Sequence, residues 1–174
     1  IALGQAFEAK LAGCHVYAAR MHDYRFKQME YTLPEEYLEE TELERQRKIH
    51  DSLIGMGLQL ISESYLAPMA KSCAAAKLPF EPRMMDGKHH VEIVKDIAIG
   101  DYDLIVMGAL GLGKVRDSQI GSVCERVTRA CTRDHLVIKS LPKAGTDGDT
   151  ILVGIDGSPQ SFGALEVSIE LAAK

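Results

Sequence analysis

The sequence predicts a doubly wound parallel α/β sheet with helices on both faces, and three observations carry that expectation. Short apolar segments of strand character alternate with stretches of helical spacing along the chain. The run Asp103-Leu104-Ile105-Val106-Met107-Gly108 puts four apolar residues in a row, as a strand covered on both faces of a parallel sheet does. A glycine-rich loop follows that run and leads into a helix, the turn at which such sheets hold ligands.

Taken in order, Ala2 to Ala12 spaces its apolar residues for a helix, and Gly13 is its stop signal. Cys14 to Ala19 reads as a short buried strand. Pro34 opens an acidic helical stretch from Glu35 to about Leu66, with Ile49, Leu53, Met56 and Leu60 on one face for packing. Gly55 and Gly57 weaken that helix by roughly 1 kcal/mol each. Pro68 is expected to break it, with Met69 to Leu78 forming a further helical set. Phe80 to Met85 is a strand closed by the turn pair Asp86-Gly87, and Val91 to Ala98 resumes helical spacing. After the glycine loop come a helix over Ser122 to Thr132 and the strand Leu136-Val137-Ile138. Residues 142–149 read as a linker. Ile151 to Ile155 then reads as a new strand, and Ser158 and Pro159 as the cap and first position of a last helix.

Composition bounds the function classes. The chain has 174 residues, 46% hydrophobic and 26% charged, the balance of a globular domain. A net charge of −5 speaks against nucleic acid as a partner, since phosphate backbones call for a basic face. No apolar run approaches the length of a membrane span. Cys14, Cys73, Cys124 and Cys131 show no metal or disulfide spacing and read as reduced thiols, which makes the cytoplasm the expected compartment.

The chemistry lies in Gly108-x2-Gly111-x9-Gly121-Ser122, between a strand and a helix. Glycines there let backbone N–H groups approach phosphate oxygens or adopt positive-φ turns. The helix starting near Ser122 adds its positive end and free amides, and the Ser122 hydroxyl adds a donor. The same residues also suit a purely structural turn, with Ser122 and Glu125 as a capping box.

These residues resemble the universal stress protein family. The resemblance runs through Asp103 to Gly108, glycines 111, 113 and 121, Ser122-Val123 and Leu136 to Ile138. It continues in Ile151-Leu152-Val153-Gly154-Ile155-Asp156-Gly157-Ser158, which is similar to the family's opening strand and turn. The glycine spacing is that of the ATP-binding branch. The resemblance implies a Rossmann-like sheet of five parallel strands with the opening strand central, dimers or tandem pairs, and a role in stress response. It implies that Met107, Gly108, Gly111, Gly121, Ser122 and Val123 hold phosphates and ribose, and that Gly154 and Asp156 meet the adenine. The ligand implied is ATP, with ADP or AMP as alternatives and Mg as a companion ion. Ala109 and Leu110 depart from the polar residues the family often has there; Lys114 and Arg116 restore positive charge in the loop.

The last helix resembles the first, with Ala164, Leu165 and Glu170 over Ala2, Leu3 and Glu8 at a shift of 162 positions. A tandem protein explains this, as does coincidence between two alanine-rich helices. On the tandem reading, residues 1–141 are a domain without its opening strand, 142–149 a linker, and 150–174 the strand and helix of a second repeat. A sheet without its central strand leaves buried backbone groups unpaired at roughly 1–3 kcal/mol each. Ile151 to Ile155 is therefore expected to fold back into the slot, or to swap between copies.

Other residues carry less. Cys124 and Cys131 read as small core residues, His89-His90 as a solvated turn, and Glu35 to Glu44 as a solvated face. No serine sits on a nucleophile elbow, and nothing near the loop suggests a general base or arginine finger. The sequence thus predicts a nucleotide-binding regulator with little or no catalysis. A protein-interaction scaffold of the same fold is the alternative.

Overall fold

The computed structural model describes residues 1–111, 119–140 and 150–173. Gly113, Lys114, Arg116 and the linker 142–149 lie outside the described residues. The chain divides into two compact units, Ile1–Lys139 and Ser140–Lys174, each described by itself.

The first unit opens with α1 (Ala2–Ala6) and β1 (Leu11–Tyr17). The expected stop at Gly13 is overturned: it lies inside β1, and the turn comes earlier, at Glu8 with φ of 51°. A Cβ on Gly13 would sit 2.7 Å from the Phe80 ring, so close packing between neighbouring strands explains this glycine. The helix α2 (Ala19–Met29) follows, then single 3₁₀ turns at Glu30–Thr32 and Glu35–Tyr37.

The long helix α3 (Glu40–Ala75) then runs through 36 residues, about 54 Å at 1.5 Å per residue. Pro68 does not break it, contrary to expectation: the helix continues to Ala75 without that amide, and Ser72 Oγ donates to the Pro68 carbonyl at 2.9 Å. The side of α3 that packs is also not the expected one. Ile49, Leu53, Met56 and Leu60 are 43%, 61%, 54% and 65% exposed, whereas Leu43, Ser62, Leu66 and Cys73 are buried. A polar residue holds the centre of the buried face because it has partners: Ser62 Oγ donates to the Leu58 carbonyl and meets His15 Nδ1 at 2.9 Å.

The strand β2 (Phe80–Asp86), helix α4 (His89–Ile99), strand β3 (Leu104–Gly108), helix α5 (Ser122–Ala130) and strand β4 (Asp134–Ile138) complete the unit. His89 and His90 are the first residues of α4 rather than a turn. Asp86 ends β2 by accepting the Ala19 N–H at 2.8 Å, and Gly87, at φ of 152°, donates to the Tyr17 carbonyl.

All pairing is parallel, but the expected five-stranded sheet is not formed by the described residues. They make two separate pairs, β1 with β2 and β3 with β4. Nor is β3 covered on both faces: Leu104 and Val106 are 40% and 53% exposed, alternating with half-buried Ile105 and Met107. The two pairs are linked through α4. Its buried Asp96 forms an ion pair with Arg83 of β2 and accepts a hydrogen bond from Tyr102 Oη at 2.8 Å, just ahead of β3. Burial, reinforced by that hydrogen bond, pushes the Tyr102 phenol up to about 12. Gly100 lets the Tyr102 ring lie against the end of α4, where a Cβ would be 2.2 Å from it.

In the second unit the expected strand Ile151–Ile155 is not formed. Among the described residues the segment has no ladder partner, and Leu152 is 96% exposed. A strand exists only through its hydrogen-bonded neighbour, so apolar sequence alone does not make one. The helix α6 (Pro159–Ala172) matches expectation, with Pro159 at its first position and Ser158 Oγ accepting from the Ser161 N–H at 3.2 Å.

Candidate functional site: the turn from β3 to α5

The ladder extends one residue past Gly108, where the Ala109 N–H donates to the Ile138 carbonyl at 2.8 Å. The Ala109 carbonyl then accepts the Gly121 N–H at 2.6 Å, which fastens the start of α5 to the end of β3. Ala109 is 1% exposed, so its small side chain closes the space beneath the turn. Gly111 is thereby brought beside Gly121, whose added Cβ would lie 3.8 Å from the Gly111 nitrogen, while Met107 and Gly108 end β3 and Ser122 and Val123 begin α5.

The cradle differs from the sequence expectation in three respects. None of Gly108, Gly111 and Gly121 has positive φ, so these glycines are not required by backbone strain. The Gly121 amide is already bonded and is not free for an anion. Finally, Ser122 caps nothing: Gly121 is the N-cap, no side chain caps the helix, and Glu125 pairs with Arg129 at 3.0 Å. Among the described residues, the first-turn amides of Ser122, Val123 and Cys124 have no backbone acceptor.

Space explains the glycines better. A Cβ on Gly121 would be 3.3 Å from the Ala109 carbonyl oxygen. One on Gly111 would meet no described atom within 4 Å, and one on Gly108 only the Leu110 carbonyl oxygen at 3.7 Å. Ser122 is exposed while Cys124 and Val127 are buried, so α5 anchors by its inner face and leaves its first turn accessible. Cys131 lies at the end of α5 and is only half-buried.

Gly154 and Asp156 belong to the second unit. The Asp156 carboxylate accepts the Ser158 N–H at 2.9 Å. Hydrogen bonds from Ser158, with a further one from Ser161, hold its carboxyl below the usual range, so it is an acceptor at neutral pH. Gly157, at φ of 88°, makes the turn that allows this. Ala109, treated in the sequence only as a lost polar contact, proves to be the residue that joins strand to helix. A small residue directly after the first glycine was the available signal.

A parallel α/β unit with a glycine turn between strand end and helix start is a member of the Rossmann-like class. The family model for the universal stress protein family matches residues 1–139, and the chain belongs to that family. Among solved structures it is similar to the hypothetical protein MJ0577, solved as a test case for structure-based assignment of biochemical function. The similarity has a TM-score of 0.58 at 18% identity, over 82% of this chain and 86% of that one. No curated protein matches the chain. Among the described residues no helix is long and apolar enough to cross a membrane.

Proposed function

We propose that this chain is a cytoplasmic stress-response regulator that binds an adenine nucleotide, ATP foremost, at the turn from β3 to α5, with little or no catalysis. The observation that carries the reading is Gly111, a glycine with neither a positive φ nor a described neighbour to demand it. A glycine without a described neighbour, next to a helix start whose first amides have no described acceptor, suits a phosphate group. Met107, Gly108, Gly111, Ser122 and Val123 would hold phosphates and ribose, with Gly121 keeping the strand and helix close. Gly154 and Asp156 would serve an adenine ring, the carboxylate accepting from the exocyclic amine. ADP, AMP and a companion Mg ion are compatible with the same turn.

Calorimetric titration with ATP tests this. Saturable heat in the native chain that is lost in Gly111→Val, whose added carbons start from a position with no described atom within 4 Å, with unchanged circular dichroism, is the expected result. No heat at millimolar nucleotide in the native chain rejects the reading.

A second reading, a protein-interaction scaffold, draws on the exposed row Ile49, Leu53, Met56 and Leu60 of α3. The five-stranded sheet, and the homodimer or tandem pairing that goes with it, belong to the proposal too. A fifth strand of the Ile151–Ile155 type would bridge β1 and β3. Sedimentation of the native chain against Leu152→Asp tests that pairing: a shift from dimer to monomer supports it.

A further inference from the structure

A second cluster of ligand-type side chains lies away from the glycine turn, where α2 packs on α3. Asp23 of α2 and His50 and Asp51 of α3 each bring one ligand atom to a common point, all within 4.8 Å of one another. The surroundings orient them. Phe26, one turn along α2 from Asp23, stacks on the His50 ring at 4.3 Å with an interplanar angle of 19°, which fixes the imidazole. His50 Nδ1 lies 3.7 Å from Asp51 Oδ1, too far for a hydrogen bond.

Two of these atoms are anomalous. Asp23 Oδ1 and His50 Nδ1 are both shut off from solvent, and neither has a hydrogen-bond partner. An orphaned buried polar atom costs roughly 1–3 kcal/mol, and two within one cluster of ligand-type side chains are costly enough to call for a partner. Neighbouring carboxylates can be reconciled by a shared proton. A proton between Asp23 and Asp51 does nothing for the imidazole nitrogen, however. A cation answers all three atoms at once.

We propose that Asp23, His50 and Asp51 form a site for a divalent transition-metal ion of the zinc type. Calcium and magnesium take six or more ligands, nearly all oxygen, whereas here an imidazole nitrogen joins two carboxylates. Three protein ligands leave a fourth tetrahedral position for water or an outside donor. Ligand atoms around zinc stand about 3.3–3.5 Å apart, so small side-chain rotations complete the set. Asp51, with its side chain 54% exposed, is the ligand free to move and gives the ion its way in. Bound metal would tie α2 to α3 and stabilise the fold.

Cobalt(II) titration of the metal-stripped full chain tests this, because Co²⁺ reports its ligands. The expected result is one equivalent bound, visible d–d absorption without a thiolate charge-transfer band, and a rise in Tm on adding Zn²⁺. Asp23→Asn and His50→Gln should each weaken binding at least ~100-fold, since even outer-shell changes cost about 10–100-fold. Asp51→Asn, at the exposed position, guards against misfolding of the other two and should also weaken binding. A thiolate band, implicating the cysteines, overturns the proposal, as does unchanged affinity in Asp23→Asn and Asp51→Asn. Absence of binding in the native chain leaves the shared proton as the answer and rejects the site.

Discussion

The Gly121 N–H donates to the Ala109 carbonyl at 2.6 Å, and this bond sets the geometry of the candidate nucleotide turn. It holds the amino end of α5 against the carboxyl end of β3 with no side chain involved. The amides of Ser122, Val123 and Cys124 beyond it have no described backbone acceptor, because no helical carbonyl precedes a first turn.

Gly111→Ala separates a ligand's need from the fold's. With no described atom within 4 Å of the added carbon, stability should change by no more than about 0.5 kcal/mol. ATP affinity should fall roughly tenfold, about 1.4 kcal/mol. Urea melts and calorimetry on the same samples check both halves, and a loss of stability without a loss of affinity contradicts the argument.

Among the described residues of the first unit Asp96 is the most deeply placed charged group, at 6% exposure. Asp96→Ala leaves Tyr102 Oη without its acceptor and Arg83 with only Glu81, 2.9 Å away, so the expected cost is about 2 kcal/mol, below that of breaking a fully buried pair. Tyr102→Phe removes only one hydrogen bond and should cost about 1 kcal/mol. Denaturant midpoints distinguish the two.

The two faces of α3 give opposite expectations. Leu66→Ala deletes a buried side chain and should cost about 2–5 kcal/mol. Leu53→Ala, at an exposed position, should stay within about 0.5 kcal/mol. Comparable losses at both positions would mean that the exposed row is covered in solution.

Stability should also depend on pH through histidine. Burial lowers the His135 pKa, and both ring nitrogens are buried without partners. Burial, with a smaller contribution from His89, likewise lowers that of His15, whose Nδ1 meets Ser62 Oγ. A depressed folded pKa means that the unfolded chain takes up the proton first as pH falls. The contribution is therefore complete above about pH 6.5, the unfolded value, and is lost progressively below it until the folded groups titrate too. Tm measured from pH 8 to 5 should drop below that point, and His135→Phe should flatten the drop.

Much of the first unit was legible in the sequence. The strand expected over Phe80 to Met85 and the helix expected over Val91 to Ala98 are found, lengthened to Phe80–Asp86 and His89–Ile99, and β3, α5 and β4 follow in the expected order. Local chemistry determines those elements. The failures occurred where a distant partner decides. Gly13 answers to the Phe80 ring across the ladder, and Ser62 is buried because His15 is there to meet it. The row Ile49, Leu53, Met56 and Leu60 had correct helical spacing, but spacing does not say which side of a helix finds a neighbour. At the site, the glycine spacing identified the turn, while its fastening through Ala109 depends on backbone geometry that no motif encodes. The cluster Asp23, His50 and Asp51 was invisible because its members are 27 and 28 positions apart and meet only through packing of α2 on α3.

Within the first unit, no main-chain ladder joins β1 and β2 to β3 and β4 among the described residues; the link runs through α4 and the Asp96 bonds to Arg83 and Tyr102. In mechanical terms Asp96 is a rivet between the two strand pairs. The half bearing the glycine turn is joined to the half bearing α3 by the packing of α4 on β1 and α5, with the Asp96 carboxylate fastening that contact on both sides.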